Sequence, residues 1–181
     1  GPCPPLREGS TAGNTLDMAT QSAPVLITRP RDEAEALAKA LTARFGARVR
    51  PVVTPLIAPR FLTPLIPDLP YAAVVFTSAQ AVEGARLLHR KLPELAWCVG
   101  RKTAAVARAA GFDAPSADGD VHALATAILE RPPGGRVLYL RGVNTHGNLL
   151  EKLNSSGIAA DEAIVYAQEP QALSPEAASL L

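Results

Sequence analysis

The sequence predicts an α/β protein of doubly wound parallel sheets, on three observations. Short apolar runs alternate with segments of helical spacing along most of the chain. The strand candidates are apolar on both faces, as in Ala72-Ala73-Val74-Val75-Phe76, which suits strands covered by helices above and below. Glycine and proline punctuation falls between these segments rather than inside them.

The elements follow in order. Val25-Leu26-Ile27 is a short strand, and after Thr28-Arg29-Pro30 the residues Ala34, Leu37, Ala38 and Leu41 mark a helix that stops at Gly46. Arg48–Val53 is a second strand. The proline-spaced stretch from Pro55 to Pro59 cannot be a helix or a central strand, because each proline removes a backbone donor. It reads as an extended connector. Alternation restarts with strand Ala72–Phe76 and a helix to about His89, then strand Ala96–Val99 and a helix over Thr103–Ala110 closed by Gly111. Val121–Leu129 is a further helix; Arg131-Pro132-Pro133-Gly134-Gly135 breaks it before strand Val137–Leu140, which Arg141-Gly142 closes. A helix over Asn148–Leu153, a strand over Ala163–Ala167 and a helix start at Ser174-Pro175-Glu176 complete the series.

Composition bounds the function. With 181 residues, 48% of them hydrophobic, the chain can bury a core. Its 18 basic and 17 acidic residues leave a formal net charge of +1, so no global field draws nucleic acid or an acidic membrane. No apolar run is long enough to span a bilayer. Cys3 and Cys98 sit in unlike contexts, one among prolines and one in an apolar run, which disfavours a disulfide and suits a reducing cytosol. The segment 1–23 is rich in Gly, Pro, Ser and Thr without a secretory apolar core and reads as a flexible leader.

Several chemistries lack their motifs. Gly142 to Asn148 has glycines near P-loop spacing but no Lys-Ser/Thr pair, no G-x-G-x-x-G follows the first strand, and no serine sits in a G-x-S-x-G elbow. His89, His122 and His146 stand apart from cysteine or carboxylate partners at ligand spacing, so no metal site is expected. What remains is the junction at Thr77 and Ser78, where a buried strand runs directly into a helix. In parallel α/β sheets that junction lies at the carboxyl edge, where the free N–H groups and positive dipole end of the helix face a crevice. Both hydroxyls are placed to hold an anionic or carbonyl-bearing ligand, or to cap the helix.

These segments, taken in order, resemble the uroporphyrinogen-III synthase family. Leu26-Ile27-Thr28-Arg29-Pro30 opens the match and Pro55-Leu56-Ile57 follows the second strand. Val75 to Val82 is similar to the family's F-T-S-x-N-A-V, with Gln80 in place of Asn. Val99-Gly100-Arg101-Lys102-Thr103-Ala104 with Gly111-Phe112, Gly119-Asp120 with Leu124, Val137 to Gly142, and Ile164-Val165-Tyr166 complete it. Each motif is short; their order and spacing are specific. After Arg141-Gly142 the family usually carries charged residues, where this chain has Val143 to Asn148.

The resemblance implies cyclodehydration of hydroxymethylbilane, a linear polycarboxylate tetrapyrrole, with inversion of its last ring to give uroporphyrinogen III, without a cofactor. It implies two Rossmann/flavodoxin-like lobes joined by an extended two-stranded connector. Their expected extents are 24–54 for the first part of lobe 1, 55–69 for the connector, 70–160 for lobe 2, 161–171 for the return connector and 172–181 for the start of the part that completes lobe 1, the remainder being missing. Tyr166 is the implied general acid, and Arg29, Thr77, Ser78, Gly100, Thr103, Arg141 and Gly142 are the implied substrate contacts. The enzyme is expected to be cytoplasmic, a monomer when full length, with no nucleic-acid or membrane partner. Two alternatives compete with an active synthase: a non-catalytic two-lobed ligand-binding or regulatory module, and an inactive fragment of the enzyme.

Overall fold

The computed structural model describes residues 21–145 and 147–181; Cys3, His146 and most of the leader expected over 1–23 lie outside them. The described residues divide into two compact units, one within 21–56 with 172–181 and the other within 57–171.

In the first unit β1 (Ala23–Ile27) and β2 (Val49–Val53) pair in parallel, joined by α1 (Arg31–Phe45) and a 3₁₀ turn over Gly46–Arg48. The stop predicted at Gly46 is there: its φ of +55° is a left-handed conformation that glycine adopts without strain. The apolar centre comprises Ile27, Ala34, Val52 and Ala177. Ala177 belongs to α6 (Pro175–Ala178), whose N-cap Ser174 accepts from the Ala177 N–H at 3.1 Å. The same Ser174 donates its backbone N–H to the buried Thr54 Oγ1 at 2.9 Å, which ties α6 to the end of β2.

The second unit is a five-stranded sheet in the order β3-β7-β6-β4-β5. Its strands are β3 (Ile57–Phe61), β4 (Tyr71–Phe76), β5 (Ala96–Cys98), β6 (Arg136–Gly142) and β7 (Ala160–Pro170). β4, β5, β6 and β7 are parallel, and β3 runs antiparallel along β7 from Ile57↔Pro170 to Phe61↔Tyr166. The proline-spaced stretch read as a connector therefore contains an edge strand, where Pro59 needs no inner ladder partner.

Helices cover both faces. Val74, Phe76, Leu138, Leu140, Ala163 and Val165 pack against α2 (Ala79–Arg86) and α3 (Arg101–Ala109). Ala73, Val75, Val137 and Tyr139 pack against α4 (Val121–Glu130) and α5 (Leu149–Ser155). The strands thus carry apolar residues on both sides because both sides are buried. Gly84 of α2 comes so close to β7 that an added Cβ would lie 2.9 Å from Val165 Cβ. Cys98 is fully buried, and burial pushes its thiol up to about 11, consistent with a small core side chain. Relative to the sequence expectation α3 starts two residues earlier and α2 ends at Arg86 rather than near His89. β7 also extends well beyond the run Ala163–Ala167, because β3 and β6 supply partners on its two sides.

Register shifts once between β6 and β7. Leu140 faces Ala163 and Arg141 faces Ile164, but Gly142 faces Tyr166, so Val165 is the extra residue of a β-bulge. Strand alternation would send Val165 and Tyr166 to opposite faces; with the bulge between them both join the cluster under α2 and α3.

At the amino ends of the strands, Tyr71 donates to Asp161 Oδ2 at 2.7 Å and Arg136 donates to Asp161 Oδ1 at 3.0 Å, which joins β4, β6 and β7. Burial, and then the bond to Asp161, pushes the Tyr71 phenol from 10.0 up to about 12. The folded chain holds this proton more tightly than the unfolded chain, so the phenol's contribution is complete below about pH 10 and drains away as pH rises through about 12. Urea midpoints across that window should fall more steeply for the unaltered protein than for Tyr71→Phe; parallel profiles would refute the role given to this phenol.

Candidate active site

Because β4, β5, β6 and β7 are parallel, their carboxyl ends line one edge of the second unit's sheet. Strand order along it is β5-β4-β6-β7, so successive connections depart on either side of β4, and helices switch faces between β4 and β6. Crevices at such a reversal are where α/β sheets hold ligands. Thr77 and Ser78 sit there, directly after β4.

Ser78 is the N-cap of α2. Its Oγ accepts from the Ala81 N–H at 3.2 Å and lies 3.0 Å from the hydroxyl of Tyr166. The capping and ligand-facing possibilities for Ser78 are thus compatible, since the same oxygen serves the helix and meets a phenol. The Tyr166 side chain reaches this position because Gly142, facing it on β6, has no side chain: an added Cβ would lie 2.5 Å from the ring Cζ and 2.8 Å from the hydroxyl oxygen. Tyr166 is 8% exposed and packs in the buried cluster under α2 and α3. Gln80 in the first turn of α2 bonds Gln168, two residues beyond Tyr166 on β7, and adds a second tie between helix and strand.

A second hydroxyl pair lies on the opposite face. Tyr139 on β6 faces Val75 on β4, and Thr77, two residues further along, shares the side of Val75. The Tyr139 hydroxyl and Thr77 Oγ1 are 3.1 Å apart. Tyr139 is not among the residues expected from the sequence. Its only signal there is a polar tip in an otherwise aliphatic strand, Val137-Leu138-Tyr139-Leu140.

The remaining expected contacts are distributed as follows. Gly100 is the N-cap of α3 and Thr103 lies in that helix's first turn, 7% exposed, so Gly100 and not Thr103 occupies the capping position. Arg141 is committed to the protein: Nε and Nη2 form a paired bridge to Glu162 at 2.8 and 3.0 Å, and Nη1 donates to the carbonyls of Gly142 and Val143 at 2.9 and 3.2 Å. Bonding to Glu162 raises its pKa further, and the guanidinium serves to hold the ends of β6 and β7 together. Arg29 belongs to the first unit, exposed between β1 and α1. Arg101 donates to Asp118 at 3.1 Å, and bonds from Ser116 and then Arg101 hold that carboxyl below its ordinary value.

No group of three or more His, Cys, Asp or Glu among the described residues could hold a metal ion, and no described helix is long and apolar enough to cross a membrane. A cavity of about 370 Å³ opens where α2 and α3 end, lined by Arg86, His89, Arg90, Leu92 and Phe112 among others. Arg86 there is paired with Glu83, and Arg90 donates to the Ile66 carbonyl. Basic residues at helix C-termini also offset the negative dipole end.

The sequence profile of uroporphyrinogen-III synthase HemD matches residues 35–181. The chain belongs to the uroporphyrinogen-III synthase family. Among solved structures it is similar to the uroporphyrinogen-III synthetase of Helicobacter pylori, with a TM-score of 0.54 and 18% identity, over 89% of this chain and 68% of that one. A mutant uroporphyrinogen III synthase from the extremely thermophilic bacterium Thermus thermophilus aligns with a TM-score of 0.49 and 18% identity, over 83% of this chain and 64% of that one. The chain thus spans about two thirds of each. At such identities the first match supports the mixed α/β fold with parallel sheets. No curated protein matches the sequence significantly.

Proposed function

We propose that the chain acts as a uroporphyrinogen-III synthase, closing hydroxymethylbilane into uroporphyrinogen III with inversion of the terminal ring and loss of water. The observation that carries this for the site is the Tyr166 hydroxyl, 3.0 Å from the N-cap oxygen of α2 at the sheet's carboxyl edge, in a chain whose family match covers that whole region.

The chemistry asks for few groups. Departure of the hydroxymethyl oxygen as water needs a proton, and it leaves an azafulvenium cation that cyclises through a spiro intermediate. The protein must also hold the linear chain end to end. Ser78 Oγ accepts from Ala81 N–H, and when its own hydrogen points to the Tyr166 oxygen, the phenol's proton is left to face the leaving group. A neutral donor suits this step, since the substrate becomes cationic as the bond breaks. Thr77, the N–H groups opening α2, and Gly100 at the start of α3 are the proposed contacts for acetate and propionate carboxylates. Thr103, Gly142 and Arg141 shape that edge from within, and Arg29 is a further proposed contact.

We further assign the family's two-lobed architecture, with doubly wound Rossmann/flavodoxin-like lobes and an extended two-stranded connector over 55–69 and 161–171, and a cytoplasmic monomer as the working form. Family membership favours the enzyme over a non-catalytic module. Supplied with hydroxymethylbilane, the chain should yield the type III isomer faster than the spontaneous type I isomer forms. Type I product alone, at the uncatalysed rate, would overturn the assignment.

A further inference from the structure

We propose that Tyr139 is a positioning residue that aims the Thr77 hydroxyl hydrogen at a substrate carboxylate; this rests on the function proposed above. Tyr139 is 2% exposed, and among the described residues its hydroxyl has one partner, Thr77 Oγ1 at 3.1 Å. Either oxygen could donate, but the surroundings select the direction. If Thr77 donated, the Tyr139 hydrogen would be buried without an acceptor, an arrangement that forfeits its hydration with nothing in return. Tyr139 therefore donates.

The consequence falls on Thr77. One of its lone pairs is taken, its own hydrogen is free, and the residue is only half-buried at the point where the sheet reverses order. A hydroxyl that accepts from a phenol becomes a better donor, because successive hydrogen bonds polarise one another. Anionic oxygen is the acceptor that gains most from such a donor. Ser78 is arranged differently: its oxygen is already engaged by the Ala81 N–H as it meets Tyr166. The two residues that follow β4 therefore serve unlike devices, an aimed anion donor at Thr77 and, at Ser78, a helix cap that meets the Tyr166 phenol of β7.

The test is a double-mutant cycle on the full chain with two readouts. One is steady-state kinetics with hydroxymethylbilane; the other is equilibrium binding of uroporphyrin, the stable oxidised form of the product ring, which needs no turnover. Tyr139→Phe should raise KM and weaken uroporphyrin binding by about tenfold with kcat changed less than about twofold. Thr77→Val should do the same, and the double variant should be no weaker than Thr77→Val alone. Multiplied effects in the double variant, or an unchanged KM beside a lowered melting temperature, would show that Tyr139 serves the fold and not Thr77. Should the unaltered chain neither bind uroporphyrin nor form type III product, the functional assignment fails and this inference with it. If the unaltered chain binds and the cycle is additive, the inference alone fails.

Discussion

Replacing Tyr166 by phenylalanine should lower turnover by about a hundredfold or more while leaving the fold close to intact. The ring is what packs: it lies in the cluster with Phe76, Leu140 and Val165, and phenylalanine keeps all of it. Only the hydroxyl goes, and with it one neutral hydrogen bond to Ser78, worth about 1 kcal/mol of stability. Loss of a proton donor at the departure of water is felt in kcat, whereas loss of a binding contact is felt in KM. Single-turnover rates with saturating hydroxymethylbilane and a thermal melt, taken together, separate the outcomes. A variant that keeps nearly all its turnover would remove Tyr166 from the chemistry.

Gly142→Ala should be nearly as damaging, for a reason visible only in three dimensions. The new methyl would lie 2.5 to 2.8 Å from Tyr166 Cζ, Cε2 and the hydroxyl oxygen, well inside contact distance. A rigid buried ring cannot fold away, so it must shift bodily and lose its 3.0 Å approach to Ser78. Overpacking of this kind costs about 1–3 kcal/mol. The expected result is a large fall in kcat together with a lower melting temperature. Because the fall acts through Tyr166, adding Gly142→Ala to Tyr166→Phe should reduce turnover little further, though it should still destabilise. A full additional loss of activity in the double variant would mean that Gly142 has a role independent of Tyr166.

The two cases also separate what one dimension conveys from what it hides. Local pattern locates the hydroxyls: a strand apolar on both faces that turns at once into a helix puts Thr77 and Ser78 at a carboxyl edge, whatever the rest of the fold. The alternation of strands and helices conveys the layers for the same reason, since burial on both sides leaves its trace in every strand. Partnership is another matter. Tyr139 meets Thr77 across a separation of 62 residues, and Tyr166 meets Ser78 across 88, so strand order and register decide both contacts. Nothing in Val137 to Gly142 says that Arg141 will bond Glu162. That pairing follows from a ladder in which Tyr139 stands opposite Glu162 and Arg141 opposite Ile164. The stretch around Pro59 conveys only what it excludes: proline bars an inner strand, whereas an edge strand tolerates it, and β7 offers an open edge.

The bulge at Val165 gives the molecule a parity. Odd and even positions along β7 correspond to its two faces, and the single uncounted residue changes which set Tyr166 and everything after it belongs to. Gln168, two places further on, reaches Gln80 of α2 on the same basis. The same residues laid out as a regular strand would turn the phenol toward α4 and α5, the side that already holds Tyr139. Deleting Val165, by contrast, would leave Tyr166 opposite Gly142, at the cost of the side chain that meets Gly84 of α2 and of the carbonyl that accepts from the Leu62 N–H at 2.9 Å. The side on which the proposed proton donor stands is thus set by which residue of β7 is left without a partner on β6.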